Sequence, residues 1–470
     1  MNTLKNIIPI PYEVVSESDE LPINSLKGFW LDDAFSHLSS ELERMSHTFS
    51  LNWKNTPENA IVFRQDDQLE QESWEMNITK DGVNIAAGSI AAANYALDAF
   101  TQMLMTAMRD VPINARLNCG RIFDKPRFTW RGLLLDSARH FQRPALIKQV
   151  IRMLARWRMN VLHWHLIDNQ GFRVPSKVLS RMTSKGTLTD GQYTTEDISD
   201  IVAFANENGV RIVPEFDMPG HSAALLKAYP EYACEPDASG EEICLSNGKA
   251  MSAIKDFLLE MMELFPNSEY FHLGGDEAIT EHWEKCPRCQ AAMRSKGYNS
   301  ARQLEHDFMT QMTNFLIDNG RRPIVWTIPN GECFRQEVMM HVWQDMRDPI
   351  HYAAHGNPMV FSLHYSLYLD YPRNFSETSE KWMFSLDDKG IYLCDPHCLW
   401  PEKVKEKLLG TECCLWTETV PEWRVMQKLI PRFPAYMECA WSRDENKDWY
   451  DFCRRKELLE ASAYFDYIKE

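Results

Sequence analysis

Tyr270-Phe271-His272-Leu273-Gly274-Gly275-Asp276-Glu277-Ala278 decides how the 470-residue chain is read. An apolar run ends on two glycines and is followed at once by two neighbouring carboxylates. Glycines at such a point let the backbone turn tightly and let a ligand come close to it. Strand, turn and acid pair together match the C-terminal end of a βα-barrel strand, where that architecture gathers its functional side chains. The competing reading is a helix start, with the acids in the first turn to complement the dipole. The rest of the chain chooses between them.

Outward from this segment, short apolar strands alternate with amphipathic helices from about Arg127 onward. Leu133–Leu135, Val161–Leu166, Val210–Phe216, Tyr270–Leu273, Pro323–Trp326, Met340–Trp343, Met359–Leu363 and Gly410–Trp416 make eight candidate strands. Between them, Pro144 occupies a first helical turn, where proline is accepted. Thr194 with Asp197 resembles a capping box, and Asn208-Gly209 and Asn319-Gly320 close helices. Alternation of this kind implies a parallel sheet, and eight strands over this length fit a (β/α)8 TIM barrel. Before it, Trp74–Ile78 and Val83–Ala86 read as a β-hairpin, and an alanine-rich helix follows from about Ile90 to Met105. The expected fold class is α/β, with a small α+β domain at 1–122 and the barrel at 123–470.

The bulk numbers set limits. With 44% apolar and 25% charged residues the chain is an ordinary globular protein. A net charge of −17 disfavours nucleic acid or an anionic membrane surface as partner. No early stretch is long and apolar enough for a bilayer span or a secretory segment, and Pro9 and Pro11 interrupt the first residues. Twelve cysteines in so long a chain make no disulfide scaffold, so free thiols in a cytoplasmic, reducing compartment are expected. Cys286-Pro287-Arg288-Cys289 is a lone CxxC with no second pair at zinc-ribbon spacing. It reads as free thiols in a surface turn, with a small structural zinc as the lesser reading. Cys413-Cys414 reads as core packing.

In a barrel the strand ends converge on one site. Here they would deliver Asp136 and Arg139; His163, His165 and Asp168; Glu215, Asp217 and His221; Asp276 and Glu277; Trp326; Trp343; Tyr368 and Asp370; and Trp416 and Glu418. Aromatic faces stack on the C–H faces of sugar rings, and carboxylates and arginine pair with ring hydroxyls. One Trp alone would serve equally to cap the core, but three strand ends carrying Trp favour a sugar-shaped pocket.

Four segments make the resemblance specific: Arg131–Phe141 (RGLLLDSARHF), Asn160–Asp168 (NVLHWHLID), Pro214–His221 (PEFDMPGH) and His272–Glu277 (HLGGDE). In order and spacing over about 125 to 420, the chain resembles the β-N-acetylhexosaminidases of glycoside hydrolase family 20. The resemblance implies an exo-acting, retaining hydrolase of terminal N-acetylhexosamine in glycans, without cofactor or metal. Glu277 would be the general acid/base, and the substrate's own acetamido oxygen the nucleophile. Asp276 would orient the acetamido N–H, and Tyr368 would hold its oxygen. Asp168 and His221 would relay to Glu277. Arg139, Asp370 and Glu418 would bind hydroxyls, and Trp326, Trp343 and Trp416 would wall the pocket. Physics agrees with the division of roles. Neighbouring residues on extended chain point apart, so Asp276 and Glu277 are poorly placed as an acid and its opposing nucleophile. Burial and the Asp276 charge should raise the pKa of Glu277, while Asp276 stays ionised. One departure stands out: Trp326 is followed by Thr327-Ile328-Pro329, where the family often has an acidic residue. The rival reading is a metal-dependent hydrolase, with His163 and His165 spaced as ligands on one strand face.

Overall fold

Eight of the apolar runs become the strands of one closed parallel barrel. The computed structural model describes residues 2–51, 53–109, 114–183, 191–235, 240–328, 331–344, 348–377, 379–397 and 400–467. Numbered in chain order, the barrel strands are β8 (Trp130–Asp136), β9 (Val161–His165), β10 (Arg211–Glu215), β11 (Tyr270–His272), β12 (Arg322–Trp326), β13 (Met339–Val342), β14 (Met359–Phe361) and β15 (Leu408–Leu415). Each pairs with the next, and β15 closes on β8 from Gly410↔Trp130 to Leu415↔Leu135. The strands are short and buried almost throughout, as expected where helices cover the outside of a parallel sheet.

Local signals set the helices between the strands. Pro144 opens the helix Pro144–Arg156 at its first turn. Thr194 and Asp197 form a reciprocal capping box on Thr195–Glu207. No helix begins at Asp276; the next one is Glu281–Lys285, so the acid pair is no helix start.

The preceding strands are β1 (Glu13–Pro22), β2 (Gly28–Leu31), β3 (Lys54–Asn55), β4 (Ala60–Gln65), β5 (Trp74–Thr79), β6 (Gly82–Ala87) and β7 (Arg116–Asp124). They form one mixed sheet in the order β1-β7-β5-β6-β4-β2-β3, with the expected hairpin at β5 and β6. The helix Ile90–Met108 buries fourteen residues, which suits an element covered on all sides. The division expected at 122 falls just inside the end of β7.

Asp124, the last residue of β7, fastens the sheet to the barrel. Its Oδ2 accepts a 2.7 Å bond from Arg158, and its Oδ1 accepts from the Trp441 indole at 3.0 Å and the Tyr12 backbone at 2.9 Å. Both charged partners are fully buried. Burial pushes the Asp124 carboxyl up to about 6, against the pull of Arg158 and its hydrogen bonds. Removing one member of such a pair leaves the other charge buried without compensation. Asp124→Ala is expected to destabilise the chain by about 3–5 kcal/mol, read as a lower urea midpoint. An unchanged midpoint would show that the clamp does not hold the two layers together.

Candidate active site

The barrel interior is layered. At one end Trp130, Val161, Val213, Tyr270, Ile324, Met339 and Val360 form an apolar plug. Above it lies a buried polar layer centred on Glu215. Glu215 Oε2 accepts a 2.5 Å bond from His165 Nδ1 and lies 3.1 Å from His163 Nε2, while its Oε1 accepts the Trp326 indole N–H at 2.9 Å. His163 Nδ1 donates to Glu412 at 2.6 Å, and Glu412 also accepts from Trp130. Burial alone would raise the Glu215 carboxyl, but the surrounding imidazoles hold it well below its usual value. In return, and against their own burial, His163 is raised to about 9 and His165 well above its usual value. Burial pushes His272 down to about 4 and His341 well below its usual value. The layer therefore holds two cationic and two neutral imidazoles around its carboxylates.

The glycine turn grows out of this layer. Neutral His272 accepts the Gly274 N–H at Nδ1, 3.0 Å away. Gly274 and Gly275 take φ of +67° and +97°, in the left-handed region that favours glycine. A Cβ on Gly274 would stand 1.6 Å from Asp217 Oδ1, which accepts the Gly275 N–H at 3.1 Å. The turn thus lays its backbone on the Asp217 carboxyl. Glu277 (φ +52°) and His221 (φ +49°) also adopt the left-handed region, which is rare for such residues and clusters at functional sites.

From the layer a chain of charged contacts climbs to the acid pair. His165 Nε2 donates to Asp168 Oδ2 at 3.0 Å, and Arg139 Nη2 pairs with the same oxygen at 2.8 Å. Asp168 Oδ1 lies 3.4 Å from His221 Nδ1. His221 Nε2 lies 3.6 Å from Glu277 and 4.0 Å from Asp276. Burial opposes the charge on His221, but the facing Asp217, Asp168 and Asp276 carboxyls outweigh it and raise the imidazole to about 11. Burial likewise opposes the Asp168 charge, yet Arg139, His165 and His221 hold its carboxyl far below the usual range. Asp136 sets Arg139 in place by accepting the backbone N–H groups of Ala138 and Arg139.

These groups open onto a cavity of about 280 Å³. Arg139, Asp168, His221, Asp276, Glu277, Trp343, Tyr368, Asp370, Trp416 and Glu418 all line it. Glu277 stands at the mouth, its side chain 59% exposed, whereas Asp276 is 14% exposed. Burial raises Asp276 to about 6, with Glu215 and Glu277 adding and His221 opposing. Burial was expected on Glu277; it falls on Asp276, while Glu277, with its backbone in the left-handed region, faces the mouth.

A model of the glycosyl hydrolase family 20 catalytic domain matches residues 128–444. The chain belongs to glycosyl hydrolase family 20. It is 30% identical over 414 residues to a beta-hexosaminidase of Akkermansia muciniphila, covering 82% of this chain and 83% of that one. It is also 30% identical over 463 residues to beta-hexosaminidase subunit A2 of Dictyostelium discoideum, covering 94% and 83%. In fold it matches the family 20 exo-β-N-acetylglucosaminidase of Vibrio harveyi, solved with N-acetylglucosamine, with a TM-score of 0.88 at 24% identity. That match spans all of this chain and 78% of the other.

Two expectations for this family 20 chain need correcting, and a third gains detail. Trp326 does not wall the cavity. It is 2% exposed, stacks on His341 with centroids 4.0 Å apart, and lies beneath Trp416, so for this Trp the core-capping reading holds. His163 and His165 do not line the cavity either; His163 faces Glu412 and Glu215 in the layer below, and His165 bridges Glu215 and Asp168, so neither histidine opens onto the cavity as the metal-hydrolase reading requires. At the departure after Trp326, the Thr327 backbone carbonyl accepts the Trp343 indole N–H at 3.2 Å; Pro329 lies outside the described residues. Asp217, Gln344, His364, Tyr371, Trp382 and Met383 join the wall without having been assigned a role. Asp217 was visible at the end of β10, but Trp382 and Met383 arrive on a long loop whose path the sequence does not encode locally.

The turn gives a direct test. Gly274→Ala forces Asp217 or the turn to move, and displacements near 1 Å cost about 10²-fold in rate. A fall in kcat of that order is expected, with the folded state retained by circular dichroism. Wild-type kcat in the variant would mean that the close approach does not position the acids.

Proposed function

We infer that the chain is an exo-acting β-N-acetylhexosaminidase that removes terminal, non-reducing N-acetylhexosamine from glycans with retention. One observation carries this reading. Asp276 Oδ1, Asp370 Oδ1 and Glu418 Oε2 are buried acceptors without a hydrogen-bond partner among the described residues, and all three side chains line the same cavity. Buried acceptors of this kind are costly unless a ligand brings donors. An N-acetylhexosamine brings an amide N–H for Asp276 and ring hydroxyls for Asp370 and Glu418. The cavity lies just under the roughly 300–1,000 Å³ of pockets for drug-sized ligands, which suits one sugar ring.

The geometry supports the following sequence. Glu277, at the mouth, protonates the departing glycosidic oxygen as its bond to the anomeric carbon breaks. The acetamido oxygen forms the new bond to that carbon, giving an oxazolinium ion. Asp276 accepts the acetamido N–H and balances the positive charge. Burial raises the Tyr368 hydroxyl well above its usual value, so it stays protonated and donates to the acetamido oxygen. Water then attacks the anomeric carbon, gives its proton to Glu277, and the ring opens with configuration retained. Cationic His221, held by Asp168, stabilises the Glu277 carboxylate between the two steps. Arg139, 5.2 Å over Trp416, presents its guanidinium to hydroxyls at the pocket edge.

Three measurements test this. Glu277→Gln should lower kcat/KM on a glycan by about 10²–10⁴-fold, and far less on an aryl glycoside whose leaving group needs no proton; equal losses on both would remove Glu277 as the acid. Asp276 acts ionised, and its carboxyl takes up a proton as pH falls through about 6. The acid limb of kcat/KM should therefore have its midpoint near pH 6 and be absent in Asp276→Asn, which should retain at most about 10⁻² of the activity. A thiazoline that mimics the oxazolinium ring should inhibit competitively; no inhibition would exclude the acetamido nucleophile.

A further inference from the structure

Cys286 and Cys289 do not sit in a surface turn. Both are fully buried, and the excursion that follows β10 brings Cys234 and Cys244 onto them, also buried. All four sulfurs lie within 4.8 Å of one another. Cys244 Sγ is 3.9 Å from Cys286 Sγ and 3.7 Å from Cys289 Sγ. Four sulfurs about 2.3 Å from a central zinc form a tetrahedron with edges of about 3.8 Å, whereas a disulfide needs about 2.05 Å. We propose that Cys234, Cys244, Cys286 and Cys289 form a structural zinc site of the four-cysteine type.

A helix N-terminus and a guanidinium lie beside the cluster. Cys286 is the N-cap and Cys289 the third residue of the ten-residue helix Pro287–Lys296, so both sulfurs stand at the positive end of its dipole. Arg288, between them, donates through Nη2 to the Ala233 carbonyl at 3.1 Å, next to Cys234. Four thiolates and one zinc ion leave two negative charges, and Arg288 offsets one.

The site has a structural use. Glu242, two residues before Cys244, accepts the Ile279 N–H at 3.1 Å, and the Trp283 indole donates to the Ile243 carbonyl at 2.9 Å. The metal would thus pin together the two excursions that leave β10 and β11, one carrying His221 and the other Asp276 and Glu277. With four protein ligands it is closed to water and takes no part in the chemistry.

The test uses the full wild-type chain, expressed with zinc and kept reduced. One zinc per chain by elemental mass spectrometry is expected, released when a mercurial titrates the thiols. Cobalt exchanged into the site should give the visible spectrum of tetrahedral tetrathiolate cobalt(II). Cys286→Ala should lose the metal, lower Tm and reduce kcat, while the exposed Cys453→Ser control keeps one zinc. No metal after dialysis against zinc under reducing conditions would overturn the proposal. So would cobalt bound without the thiolate spectrum, or an intact mass short by the four hydrogens of two disulfides. Because these measurements are made on the wild type, a Cys286→Ala variant that fails to fold leaves them decisive.

Discussion

Everything at the pocket rests on the Glu215 carboxylate in the middle of the barrel. A buried carboxylate is tolerated only when its partners compensate the lost hydration. Glu215 gathers His163, His165 and Trp326 around itself. Those partners leave the next contacts little choice: His165 has its second nitrogen free for Asp168, and Asp168 then holds Arg139 and His221. His272, kept neutral by the same crowding, accepts the N–H that begins the glycine turn. The acid pair is therefore aimed from below, through fixed charges, rather than by the loop that carries it.

Much of this was legible in the sequence, for identifiable reasons. Parallel barrel strands are buried on both faces, so they appear as short apolar runs, and all eight were placed. Residues directly after a strand end inherit its direction, which is why Arg139, Asp168, His221, Asp276, Glu277, Trp343, Trp416 and Glu418, read at strand ends, all line one cavity. Direction is also where the reading failed. Trp326 is the last residue of β12, and an inward-pointing side chain there packs under the pocket rather than around it. Glu277, expected to be buried, came out at the mouth because a left-handed turn, invisible to a count of alternating residues, turns it toward water. The cysteines show the same limit from the other side: the spacing of Cys286 and Cys289 was plain, but Cys234 and Cys244 reach them only through a fold-determined excursion.

The adjacency of Asp276 and Glu277 acquires its meaning from these charges. Side by side in sequence, they differ in depth, exposure and neighbours. Asp276 shares its surroundings with Asp217 and His221, whose ligand atoms lie within 4.8 Å of one another, whereas the far more exposed Glu277 meets His221 alone of that group, at 3.6 Å. Asp217 is driven well above the usual carboxyl range by burial and by Asp276, against the pull of His221. Two like residues can thus perform unlike tasks without any distance between them along the chain.

The filled barrel imposes an order on traffic. Beneath Trp416 come Trp326, then the histidine layer, then the apolar plug, so among the described residues no path leads from the pocket through the barrel. A sugar released at the closed end can leave only by the way it came, and that way is blocked until the remainder of the glycan has departed. Departure is therefore sequential, shortened glycan first and monosaccharide second, and free monosaccharide re-entering the closed end competes with the next chain terminus.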